Sequence, residues 1–216
     1  MIFHSRKEHN EVLKWSKYYS PIMFLVLSMD GKWGGGAENA ENITSNFKRL
    51  WPAASSYIKM QARMNAKGRI PISELTIPFP SREYHQRYGK RIIDDFLVLV
   101  FSMNRYLDDA EDYAFMESFC GEMLGLFHWE DRANEDIWTG SRLFAVDKQE
   151  RFGEAIEQYR ALGTKTERIG SIYAASLLDR CDADTAAEVL EPFRGSEDPA
   201  VREKISLLDQ LKKIKE

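Results

Sequence analysis

Apolar residues recur along most of this chain at steps of three and four, which places them on one face of an α-helix. A first amphipathic stretch covers about Lys7 to Tyr19. Ser20-Pro21 then reads as a cap followed by proline at the first helical position, where the missing N–H costs nothing. Ile22-Met23-Phe24-Leu25-Val26-Leu27 has no polar face and predicts a helix buried all round. Asp30-Gly31-Lys32-Trp33-Gly34-Gly35-Gly36 breaks it. Ala37, Ala40, Ile43, Phe47 and Leu50 resume the period, Trp51-Pro52 restarts or kinks the helix, and Tyr57, Ile58, Ala62 and Met64 carry it to a stop at Gly68. Pro71, Pro78 and Pro80 forbid helix, so residues 69–81 are expected as an edge strand or draped loop, the one β candidate in the chain.

Ser81 opens a long helix with Tyr84, Tyr88, Ile92, Phe96, Leu99, Met103 and Leu107 on one face. Asp108, with Glu111 three residues on, is expected to cap the next helix, which carries Tyr113, Met116, Phe119, Cys120, Met123, Leu124 and Phe127. A central hairpin of these two helices is the expected core. His128 to Thr139 reads as a polar turn or short helix, and Gly140 to Asp147 as a connection. From Lys148 the pattern changes to short helices with short turns. Phe152, Ala155, Ile156, Tyr159 and Leu162 end at Gly163, and Thr164-Lys165-Thr166-Glu167 is a capping box before Ile169, Ile172, Tyr173 and Leu177. Asp182 or Asp184 starts the next helix, and Asp198-Pro199 the last.

Arg151-Phe152-Gly153-Glu154-Ala155-Ile156-Glu157-Gln158-Tyr159-Arg160-Ala161-Leu162 resembles the second helix of a tetratricopeptide repeat. Tyr173-Ala174-Ala175-Ser176-Leu177-Leu178 with Ala186-Ala187-Glu188-Val189-Leu190 is similar to a following unit. The resemblance covers about residues 151–194. It departs from the repeat in lacking tryptophan and glycine at the expected first-helix places and a closing proline after Leu162. The expected architecture is all-α, an irregular helical bundle with a C-terminal stack of short antiparallel α-hairpins and little or no β. The expected lobes are residues 1–140 and 141–216, packed as one unit.

Composition narrows the class. Of 216 residues, 44% are hydrophobic and 12% aromatic, which excludes disorder, and two cysteines are too few for a disulfide framework. Cys120 and Cys181 are expected as buried, reduced thiols. Pro21 to Met29 is too short to span a bilayer, and the N-terminus shows no signal-peptide core, so the expected location is cytoplasmic. The net charge of −4 is a sum of unlike blocks. Residues 1–91 carry +8, residues 92–150 carry −10 and residues 151–216 carry −2. Asp108, Asp109, Glu111, Asp112, Glu130, Asp131, Glu135 and Asp136 are the candidate acidic face, which would steer a basic protein toward it. Trp33, in its glycine-rich loop, is a candidate contact residue.

These features predict a non-catalytic protein-binding module, in its concrete form an inhibitor or immunity-type protein that masks a basic partner. Two alternatives carry different chemistry. The carboxylates of 108–112, facing Glu130, Asp131, Glu135 and Asp136, could hold magnesium over a phosphate chain in an all-α phosphohydrolase. The basic N-terminal block, with Arg82, Arg87, Lys90 and Arg91, could contact the phosphates of a nucleic acid, although Tyr84 and Tyr88 lie on the core stripe and not between those cations. No cofactor, catalytic or metal motif is identified. Histidines lack metal-ligand spacing, and Gly31-Lys32-Trp33-Gly34 is no phosphate loop.

Overall fold

The computed structural model describes residues 5–29, 39–65 and 68–215. These residues form ten α-helices and one pair of two-residue strands, an all-α architecture. Trp33 and its glycine loop lie outside the described residues. The chain divides into two compact units: Met1–Asp112 with Leu126–His128, and Tyr113–Gly125 with Trp129–Glu216.

In the first unit, Ser5 caps α1 (Arg6–Tyr19), its hydroxyl accepting from the Glu8 amide at 3.1 Å. α2 (Pro21–Met29) buries Ile22, Met23, Leu25, Val26, Leu27 and Met29, as its unbroken apolar run requires. Ser20 divides the two helices as expected, yet its buried hydroxyl makes no hydrogen bond, so proline and not a side-chain cap sets the boundary. α3 (Ala40–Met64) buries Ile43, Phe47, Leu50, Trp51, Ala54 and Ile58 and passes through Pro52 as one helix, with the proline on its exposed side. α4 (Arg82–Asp109), capped by Ser81, buries the predicted stripe from Tyr88 to Leu107. α2 packs against α1, α3 and α4, which makes it the centre of this unit.

The proline-rich stretch is held by a side chain. Buried Gln61 donates from Nε2 to the Thr76 carbonyl at 2.9 Å and accepts the Thr76 amide at 2.8 Å, so its amide mimics a neighbouring strand. Further back, β1 (Ile70–Pro71) pairs in parallel with β2 (Phe127–His128), Ile70 opposite Phe127. Proline is tolerated there because a two-residue ladder asks little of it.

In the second unit, α5 (Tyr113–Leu126) contributes all but its last residue. It is followed by α6 (Arg132–Lys148), α7 (Phe152–Arg160), α8 (Glu167–Asp179), α9 (Ala183–Leu190) and α10 (Pro199–Lys215). α4 and α5 thus belong to different units, and the expected central hairpin is not the core of either. The expected polar turn or short helix over 128–139 and the connection over 140–147 are joined from Arg132 onward in one helix, α6, which runs unbroken through residue 140. It buries Trp138, Leu143, Phe144, Ala145 and Val146. α6 packs on α7 and stacks on α8, α8 packs on α9, and α10 covers both α8 and α9. Thr166 and Asp182 cap α8 and α9 by accepting from Ile169 and Thr185 amides at 3.3 and 3.1 Å.

Three helices end in the same left-handed turn on a residue other than glycine: Glu111 at φ 52°, Glu150 at 62° and Cys181 at 61°. In each, the next amide reaches back five residues, Asp112 to Leu107, Arg151 to Val146 and Asp182 to Leu177. α4 therefore runs through Asp108, and this turn, not an Asp108 cap, separates α4 from α5.

Two consequences are measurable. Gln61→Leu should lower stability by about 1–2 kcal/mol in urea unfolding, because it leaves the Thr76 amide without its partner and the Thr76 carbonyl with only the Tyr57 hydroxyl, 3.2 Å away. Gln61→Glu, which keeps the acceptor, should cost less. The second concerns Tyr88, whose hydroxyl donates to Glu8 at 2.7 Å. Burial, with the Glu8 carboxylate beside it, pushes this phenol up to about 12 from 10.0. Below pH 10 both states hold the proton; between 10 and about 12 only the unfolded chain releases it, so stability falls as pH rises. The urea midpoint should drop between about pH 9 and about pH 11.5, and Tyr88→Phe should reduce that drop.

Candidate interaction surfaces

The eight candidate carboxylates are divided four and four between the units. In the first unit, Asp108 and Asp109 occupy the last turn of α4. Asp109 lies 3.7 Å from Arg105, one turn earlier. Glu111 is exposed on its left-handed turn, and Asp112 pairs with Lys48 of α3, a member of the basic N-terminal block. With Glu41, Thr44, Ser45 and Ala110 these residues line a shallow hollow.

In the second unit, Asp131 is the N-cap of α6 and accepts the Ala133 amide at 2.9 Å. Glu135 sits half-buried in the first turn, where the helix dipole favours it. Asp136 is buried and takes the Arg132 guanidinium at 3.3 Å. Glu130 is exposed. Asp109, Asp112, Asp131 and Asp136 are therefore each engaged by a cation or a helix end. Among the described residues, no group of three or more His, Cys, Asp or Glu is placed to hold a metal ion.

His128 lies exposed in β2, and the Trp129 indole donates to the last turn of α5, at the Met123 carbonyl 3.1 Å away. One smaller expectation changes. Both cysteines are free, but only Cys120 is buried; Cys181 is exposed at a left-handed turn. Burial also pushes the Cys120 thiol well above its ordinary range.

The turns of the second unit carry an ion-pair network that the sequence reading missed. Arg180, at the end of α8, reaches Asp147 at 3.2 Å and Asp182 at 2.8 Å, and its guanidinium lies 4.1 Å over the half-exposed Phe152 ring. Lys148 pairs with Asp179 at 2.7 Å, and Arg151 joins Glu117 to Glu154 at 2.6 Å each. Arg160 grips Glu188 with both ends of its fork, holding that carboxylate below its usual range. Apart from Arg151–Glu154 and Arg180–Asp182, which are local, each pair links separate helices or their caps, so no period within one helix could have signalled it. Beneath the network, Tyr173 packs 5.7 Å from Tyr159, and burial together with Asp147 raises its phenol far above the ordinary value.

No helix among the described residues is long and apolar enough to cross a membrane. Comparison with protein-family models, curated proteins and solved structures found no match.

The two thiols should separate cleanly. In the folded protein an aromatic disulfide reagent should titrate one thiol, lost in Cys181→Ser, and denaturant should release Cys120 as the second.

Proposed function

We propose that the chain is a non-catalytic protein-binding module whose second unit is a short stack of helical hairpins. One observation carries the reading: α6, α8 and α10 stack in order, while α7 and α9 each pack beside the helix they follow. That alternation is how hairpin repeats build a continuous core and an extended recognition surface. The three stacked helices open at residues 132, 167 and 199, steps close to the roughly 34-residue period of tetratricopeptide repeats. Ile169-Gly170-Ser171-Ile172-Tyr173 supplies a glycine three residues before a tyrosine, the first-helix feature the sequence reading had missed. A Cβ on Gly170 would lie 2.9 Å from the Phe193 ring, so the residue is a packing contact. The absent tryptophan and closing proline remain departures from that family.

The finer form of the reading is an inhibitor of immunity type that masks a basic partner. Its support is the carboxylates that stay exposed, Asp109 and Glu111 in the first unit and Glu130 and Asp131 in the second. The buried thiol of Cys120 suits a reducing, cytoplasmic setting.

Capture by the full-length chain at 50 and 500 mM salt, with a photo-crosslinking residue in place of Arg168 on α8, tests both forms. Screening shortens from roughly 14 to 4 Å over that range. A partner crosslinked through α8 supports the module. Its loss at high salt, and in Glu130→Lys, supports the basic partner. A partner crosslinked at α8 but indifferent to both salt and Glu130→Lys removes the acidic-face form. No crosslink at α8 removes the module reading.

A further inference from the structure

The first unit carries a surface that this reading does not use. Glu8 fixes α1 to the start of α4, accepting from the Tyr88 hydroxyl at 2.7 Å and lying 3.9 Å from Arg87. Val12 and Ser16 are buried, which leaves the opposite side of α1 to solvent. That side carries Arg6, Lys7, Lys14 and Lys17, all exposed and none in an ion pair among the described residues, together with one exposed carboxylate, Glu11. Tyr18 shares that side, while Tyr19, seven residues after buried Val12, stands exposed at the end of the packed side. Tyr18 is 77% and Tyr19 64% exposed. The Lys17 ammonium lies 5.9 Å over the Tyr18 ring, and Trp15 stacks on Tyr19 at 5.7 Å and 26°.

We propose that this face of α1 binds single-stranded nucleic acid, with the four cations on phosphates and Tyr18 stacking against an unpaired base. Four cations against one carboxylate leave this side net positive, which matches a phosphodiester chain, and an exposed ring offers a base a π-face without regard to sequence. A membrane surface fits less well: an amphipathic helix lies in a bilayer by its apolar side, and that side of α1 is already buried in the protein. A duplex fits less well because its bases are stacked on each other and offer no face to the tyrosine.

The test is fluorescence anisotropy of a labelled oligothymidylate of about 20 nucleotides with the full-length chain. The expected result is binding at about 50 mM salt, with log K falling against log salt at a slope near −3, for about four phosphates at roughly 0.7 each. Lys14→Glu with Lys17→Glu should weaken binding at least tenfold and flatten the slope. Tyr18→Ala should weaken it about fivefold to tenfold and leave the slope unchanged. Arg202→Glu, an exposed charge reversal on α10, should change neither. All four positions are exposed, and circular dichroism checks that each variant keeps its helices. The proposal is overturned by no binding at low salt, by equal losses in Arg202→Glu and the α1 variants, by equal affinity for a duplex, or by binding to phosphatidylserine vesicles without binding to the oligonucleotide. None of these outcomes bears on the α8 crosslink, so the two readings stand or fall apart.

Discussion

The second unit depends on how closely α6 and α8 can approach. At Gly140 a single added carbon would sit 2.9 Å from the Ile172 Cβ, closer than real side-chain carbons come. Neither atom is the mobile end of a side chain, so a larger residue would push the two helices apart along their length. The stack of α6 on α8 sets where α7 and α9 lie, and α10 closes the end by packing on α8 and α9. The core beneath follows from this spacing: Leu143, Val146, Ala155, Tyr159, Tyr173, Leu177, Val189 and Leu208 form one continuous cluster. Small residues such as Ala155, Ala174, Ala183 and Ala186 occupy it because closely spaced helices leave little room between backbones.

The same close approach explains what the sequence concealed. α4 was legible because its buried positions are apolar at steady helical intervals and Ser81 marks its start. α6 was not. Its buried residues include Asp136, Gly140, Ser141 and Asp147, so its inward sides look polar when read as a pattern. Asp136 is neutralised by Arg132 within the helix and Asp147 by Arg180 from another, and only the second partner lies beyond the reach of periodicity. The three left-handed turns were hidden for a different reason. Glycine is the usual sign of such a turn, and Glu111, Glu150 and Cys181 carry a side chain there at an energetic cost.

Charge shows a similar gap between a linear tally and a folded surface. The acidic middle block suggested one face. In the structure Asp112 is matched to a lysine of the basic block, Asp131 holds a helix end, and Asp136 is out of solvent. The basic block was read mainly on the α4 helix, where Tyr88 is buried and Tyr84 half-buried. Its exposed rings are on α1, in a stretch that had been read only for its apolar period. Hydrophobic periodicity reports which side of a helix is hidden; it does not report which aromatic residues are left out of the hidden side.

Residues 126–128 give the chain a property that neither unit has alone. They complete the first unit, yet they lie after α5, which begins the second. Neither unit is a continuous length of polypeptide. A fragment ending at Asp112 would keep α1 to α4 but leave Ile70 and Pro71 without the strand they pair with. A fragment beginning at Tyr113 would carry Phe127 with no Phe96 ring 6.3 Å away to cover it. Dissection by truncation would therefore expose apolar surface on both pieces. Any division of labour between the units is best pursued by point substitution in the intact chain.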